Sequence, residues 1–305
     1  MTAHDHSASR PAGTATPKHL PGHISAALAR AGGGTDSAGQ DWAGRDLSGE
    51  GNPLHNFDAD DGRADSGYLA AIGALIAGTG TEQEVHAALA TARVFIAVVA
   101  QLAEGGLGEH GFTEDKEADM ALVTLTAPDG RTALPVFTTV ENLQSWHAEA
   151  RPVAVYAPRA ALSAVSEEAQ MLVIDPGADF TFVLRRPGMW ALAQQQDWLP
   201  SYTDESLLAI LHDLAAGESA IAGISLAPGH GVGSRTGSGQ IVPGGGPGPE
   251  LRLEITFRAG TLGEDARESA TRIQAALAGN AVFAEAVDSL ELALTAEPGR
   301  GGNAQ

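Results

Sequence analysis

The 305-residue chain has no cysteine and only two lysines, Lys18 and Lys116. The first absence removes disulfides, thiolate nucleophiles and thiolate metal ligands together. The second leaves almost all positive charge on arginine and a single candidate amine, Lys116, for Schiff-base or phosphate chemistry. That lysine stands in Thr113-Glu114-Asp115-Lys116-Glu117. Flanking carboxylates favour its charged form and so keep it from acting as a nucleophile. Aromatic residues make up 5% of the chain, so its cores must be mainly aliphatic. Basic residues are outnumbered, 18 against 38 acids, for a net charge of −20. Such a chain repels phosphate backbones and anionic lipid, because affinity for both rests on clustered basic groups. Nucleic acid and membranes are therefore not expected partners, and the acidity serves solubility. The longest apolar run, residues 94–102, is sized for a strand and not for a bilayer. The first residues lack the basic-then-apolar pattern of a secretory signal, and the expected location is the cytoplasm.

What is present suffices for two α/β domains. Residues 1–40 are rich in Ala, Gly, Ser, Thr, Pro and His and read as a disordered tail, as do residues 297–305. His4, His6, His19 and His23 have no ordered carboxylate beside them and read as solvated. An extended arm is expected at 41–62, anchored by Trp42, Leu47, Leu54 and Phe57 amid turn formers. Its acidic run, residues 58–62, lacks calcium-loop spacing, since Gly67 stands where a closing Glu belongs. A solvated turn is the better reading.

The first domain is placed at 41–198. Leu69, Ile72, Leu75 and Ile76 mark a helix capped by Asp65 or Ser66. Thr81 with Glu84 three places on is a capping box for a second helix, with Val85 and Leu89 inward. Residues 93–99 form a continuous apolar run, the pattern of a strand buried on both faces. Strands at 120–126 and 131–137 flank a hairpin turn at Pro128-Asp129-Gly130. Thr139 caps a short helix, 140–146. A strand at 152–156, a helix at 158–169 opened by Pro158, and strands at 171–174 and 180–184 follow. A last helix opens near Arg186. The second domain, 203–296, reads as a helix at 204–215, strands at 219–226 and 251–257, helices at 265–278 and 282–288, and a strand at 290–294. This is a smaller α-β-β-α-β unit with a flexible Gly-rich loop at 228–249. The class is α/β (α+β), with a mixed sheet in the first domain.

Motifs for known chemistries fail on detail. In 229–237 the Gly-x-Gly-x-x-Gly spacing is never met, and a P-loop lacks its lysine. Gly223-Ile224-Ser225-Leu226-Ala227 misses the last glycine of a hydrolase elbow and sits within a strand. His212, its only imaginable base, lies on a helix without an acidic orienter. No histidine pair has zinc-peptidase spacing. The carboxylates Glu114, Asp115, Glu117 and Asp119 read as a solvated loop. No cofactor is expected. Arg185 and Arg186 stand apart from this background. They end a strand directly before Pro187, so two guanidinium groups lie beside the free N–H groups of a helix start. That is either an anion or partner site, with Trp190 one turn on, or a structural pair bonded to nearby carboxylates. Trp146 and Trp190 read as core or domain-contact residues in preference to ligand platforms.

Ala133-Leu134-Pro135-Val136-Phe137-Thr138-Thr139, then Trp146 and Arg151-Pro152-Val153, resembles the amino-terminal domain of the SseB (enhanced serine sensitivity) family. So does Leu172-Val173-Ile174-Asp175-Pro176 followed by Phe182-Val183-Leu184-Arg185-Arg186-Pro187. Trp42-Ala43-Gly44-Arg45, Asn52-Pro53 and Asp60-Asp61-Gly62 look like actinobacterial members. The resemblance implies an α/β domain of unsettled biochemical role and supplies no catalytic residues. A non-enzymatic module binding another protein or a small anion is the expected function. An enzyme using acid–base residues in an inter-domain cleft is the alternative.

Overall fold

The computed structural model describes residues 57, 60–102, 118–127 and 129–298. Helix α1 (Ser66–Ile76) begins at Asp65, whose carboxylate accepts the Tyr68 N–H. Ile72 and Leu75 are buried and Ile76 packs on the core as expected, but Tyr68 takes the place expected for Leu69, which is exposed. Helix α2 (Glu82–Leu89) has the full Thr81–Glu84 capping box and buries Val85 and Leu89. Strand β1 (Arg93–Leu102) is enclosed on both faces: Val94, Ile96 and Val98 point into the main core, Phe95 and Ala97 into a smaller one.

The first unit is a seven-stranded mixed sheet. Strand β1 pairs with β5 (Arg151–Tyr156) along one edge and with β2 (Ala118–Leu122) and β4 (Thr132–Phe137) along the other. The single strand expected over 120–126 is two pieces. Val123 still bonds to Ala97 of β1, whereas β3 (Leu125–Thr126) has changed partner to β4. β4 runs parallel to β6 (Met171–Ile174), which pairs antiparallel with β7 (Phe182–Arg185). Helix α3 (Val140–Trp146), capped by Thr139, covers the smaller core. Helices α4 (Ala157–Ser166) and α5 (Arg186–Ala193) each begin with Pro in the first turn and join α1 and α2 on the main core. Asp175, at positive φ, ties the ends of β4 and β6: its carboxylate accepts the Thr138 N–H and hydroxyl at 2.8 and 2.6 Å.

A 3-10 turn (Ser201–Thr203) leads to α6 (Glu205–Ala216), capped by Asp204. A three-stranded sheet follows, in the order β12 (Leu290–Ala296), β11 (Leu251–Phe257), β8 (Ile221–Pro228). Alternate β11 residues, Leu251, Leu253, Ile255 and Phe257, face α6, α7 (Gly263–Ala278) and α8 (Ala281–Ala286); the other face is wetter. β11 and β12 are parallel, and α7 and α8 supply the crossover that parallel pairing requires. Glu297 still donates its N–H to Phe257, so strand pairing reaches into the expected carboxyl-terminal tail.

The Gly-rich segment between β8 and β11 is a packed strap, not a free loop. It carries a small hairpin, β9 (Ser234–Arg235) with β10 (Ile241–Val242), and buries Val242 in the core of the first unit. Its Gly245 carbonyl accepts the Val183 N–H on the edge of β7, and the Gln240 side chain caps the Ile76 carbonyl. Glycine is required by contact: a Cβ on Gly231 would lie 2.1 Å from the Gly248 carbonyl carbon. One on Gly246 would lie 2.3 Å from the Gly231 oxygen. Close backbone crossing, and not freedom, explains this composition.

Candidate binding site

Arg185 ends β7 and turns inward. Its side chain is 1% exposed, with Nη1 3.3 Å from Glu82 Oε1 and Nη2 donating to the Gly246 and Gly231 carbonyls at 2.6 and 3.2 Å. Glu82, in the first turn of α2, also accepts the Gly245 N–H and the Tyr202 hydroxyl. Burial, together with the Glu82 charge, raises the Tyr202 phenol and keeps it a donor. Arg186 points the other way. Its Nη2 donates to the Ala284 and Val287 carbonyls at 2.7 and 2.8 Å, at the negative end of α8. The expectation of two guanidinium groups aimed at an outside anion is therefore corrected: long-range protein acceptors take both terminal nitrogens of Arg185, whose buried Nε has no hydrogen-bond partner, and Arg186 on one side.

A third arginine does similar work. Arg131, at the start of the β4 hairpin, bonds Asp129 through Nε and Asp288 through Nη1, each at 2.7 Å, and the Pro247 carbonyl through Nη2. Burial opposes its charge, but the two carboxylates outweigh that and hold it above the usual arginine value. Arg131, Arg185 and Arg186 thus clamp the second unit and its strap to the first. Glu250, fully buried before β11, is the matching acid on the other side. Its carboxyl accepts the Ser201 and Asp288 N–H groups at 3.3 and 3.0 Å. Burial pushes it above the ordinary carboxyl range, against the pull of those N–H groups and of Arg185.

Between the clamps opens a pocket of about 440 Å³, lined by Arg131, Val165, Gln170, Arg186, Trp190 and Asp288. The Arg186 guanidinium stands 5.4 Å from the centre of the Trp190 ring. Trp190 and Val165 remain 37% and 39% exposed, and Leu162, one turn before Val165 on α4, is 42% exposed. A half-open aromatic ring, an arginine and an aliphatic side chain lining one pocket are the composition of a protein-docking centre. Formal charge in the pocket balances, because the Asp288 carboxylate neutralises Arg131 and Glu168 lies on the rim.

Other candidates do not assemble. Ser225 lies within β8 with its hydroxyl directed to Glu254, and His212 is exposed on α6. Both border a hollow of about 260 Å³, with no hydrogen bond between them. A wider hollow of about 880 Å³, beside Phe57, Arg63, Phe95 and Glu141, is open and mixed in character. Asp60 and Asp61 accept backbone N–H groups of their own turn, and Asp60 pairs with Arg93, as suits a turn and not a calcium loop. No cluster of three metal-ligating side chains exists among the described residues, and no described helix is long and apolar enough to cross a membrane. Trp146 packs on Phe137 in the smaller core. Trp42, Lys116 and the amino-terminal histidines lie outside the described residues.

Residues 69–191 match the family model of the SseB protein N-terminal domain. No curated protein and no solved structure matches the chain. The SseB-matched stretch runs from α1 into α5, and so holds Arg131, Val165, Arg185, Arg186 and Trp190. Asp288, Glu250 and the strap lie beyond it, so the pocket combines SseB-type walls with one from the second unit. Glu82, Arg131, Glu250 and Asp288 were not marked by any sequence motif. Their only local signal is polarity within or beside apolar runs.

Proposed function

We propose that the whole chain is an SseB family member of actinobacterial type, acting in the cytoplasm as a non-catalytic protein-binding or regulatory module. Its docking centre is the pocket of Trp190, Arg186 and Val165. The exposed Trp190 ring beside the Arg186 guanidinium, in a pocket shared by two clamped units, carries this reading. A protein partner is preferred to a small anion because the pocket's cations are matched by carboxylates and carbonyls, so little unpaired positive charge faces an occupant.

The test is affinity capture from the native host with the wild-type chain, Trp190→Ala and Arg186→Glu, and with Arg258→Glu as a distant control. A partner retained by wild type and control but lost by at least tenfold with Trp190→Ala supports the docking centre. Equal recovery by all four proteins removes it.

A further inference from the structure

The acids Glu82 and Glu250 lie in one buried cluster with a single guanidinium, Arg185. Glu82 is 3% exposed, Glu250 0% and Arg185 1%. Glu82 takes the ion pair with Arg185, while Glu250 has no salt-bridge partner within 4.0 Å among the described residues and accepts the Ser201 and Asp288 N–H groups. With both carboxyls ionised the cluster holds one more negative charge than positive, in a place shielded from water. A buried charge without a full partner is disfavoured, and uptake of one proton removes it. The cluster also bridges every part of the seam: Glu82 on α2, Arg185 on β7, Tyr202 on the 3-10 turn, Glu250 at the foot of β11 and the strap glycines between them.

We propose that Glu250 is a proton-operated latch: protonated, it closes the strap and the second unit onto the SseB-type unit; ionised, it loosens them. The groups facing it fix the sign. Ser201 and Asp288 donate N–H groups to its carboxyl, and the Ser201 side chain also favours its charge; Arg185 attracts that charge from across the seam, and the neutral Tyr202 phenol lies within reach of it. The Asp288 carboxylate is held aside by Arg131. Burial outweighs the attractive contacts, so the closed form binds the proton more tightly than the open form does. Closure is therefore favoured below the ordinary carboxyl value and weakens as pH rises towards the higher value of the closed form. The consequence reaches the docking pocket, because Asp288 lines it and the Ala284 and Val287 carbonyls hold Arg186, another of its lining residues. This inference rests on the reading of that pocket as the docking site and adds its regulation.

Amide exchange on the isolated protein tests it. The Gly246 and Asp288 N–H groups, bonded to Val232 and Glu250, report on the strap and the latch; β1 amides report on global opening. After correction for intrinsic exchange, protection at Gly246 and Asp288 should fall by up to about tenfold per pH unit above the ordinary carboxyl value, for release of one proton. β1 protection should hold, and Glu250→Gln should flatten the dependence. A second measurement needs no variant: the Glu250 side-chain carboxyl carbon, followed by NMR in the wild type, should titrate above the ordinary carboxyl value. Titration at or below that value, or a pH profile unchanged in Glu250→Gln, overturns the latch. Both readouts use the protein alone, so their failure leaves the Trp190 capture experiment to decide the docking reading independently.

Discussion

Arg185 heads the fully enclosed side chains by size among the described residues, and it is charged. Its tolerance there depends on Glu82 and on two strap carbonyls that reach it from 46 and 61 residues away in sequence. Substituting Arg185→Met keeps much of the volume but leaves Glu82 enclosed without its cation. The expected loss is about 3–5 kcal/mol, as for other broken buried pairs, read as a lower urea midpoint. Pairing it with Glu82→Gln should recover part of that loss, and no recovery would mean that packing, not charge, holds the site. His86 is the second residue whose enclosure has a cost. Burial between α2 and α5 lowers its pKa, against the opposing pull of the Gly188 carbonyl and Asp197. The folded state thus binds fewer protons than the unfolded one. Stability from this residue is present above the ordinary histidine value and is lost as pH falls towards the lower folded value. Urea midpoints compared at pH 7 and pH 5 should show that loss in the wild type and a smaller one in His86→Gln.

The strap shows what glycine composition leaves open. Gly231→Ala would force a methyl carbon against the Gly248 backbone, and a cost of about 1–3 kcal/mol is expected from the shift that must follow. Gly223→Ala, within β8 and with nothing within 4 Å of the added carbon, should be neutral or slightly stabilising. Thermal unfolding of the two variants separates close approach from mere flexibility. Read alone, a run such as Gly244-Gly245-Gly246 fits either cause, because what distinguishes them is a distant backbone. For that reason the sequence suggests a connector where the chain makes a packed excursion. Local signals fare better. The Thr81–Glu84 box, the Thr139 cap, the doubly buried β1 and the alternation of β11 all follow from neighbouring residues, and each appears where its pattern places it. Where two local choices compete, the outcome is less legible. Tyr68 takes the place of Leu69 in the inner stripe of α1, since 68, 72 and 75 share a face at helical spacing just as 69, 72 and 76 do. The same limit applies to the candidate site. The position of Arg185, Arg186 and Trp190 at a strand-to-helix junction is readable; their acceptors in the strap and in α8, supplied from the far end of the chain, are not.

The stretch matched by the SseB family model stops at residue 191, yet the core it builds does not stop there. Trp198 and, from the strap, Val242 belong to the same cluster as Leu134, Leu172 and Leu184. The edge of β7 is covered by Gly245, and Glu82 loses two hydrogen-bond partners, Tyr202 and Gly245, if the second unit is removed. A fragment ending at residue 200 therefore exposes an unpaired strand edge, an empty socket for Val242 and an under-satisfied buried ion pair at once. Each of these favours association or loosening. The expected behaviour of that fragment is dye binding to exposed apolar surface and concentration-dependent aggregation. The chain spanning residues 57–298 should instead unfold in one transition, with calorimetric and van't Hoff enthalpies that agree. Two resolved transitions in the longer chain, the first preserving the near-ultraviolet signal of Trp198, would show that the clamps join two independent bodies. A stable monomeric fragment would show the same by a different route. Agreement of the enthalpies would make the three arginines, together with the strap, part of one cooperative core, so that whatever docks at Trp190 reads the state of the entire seam.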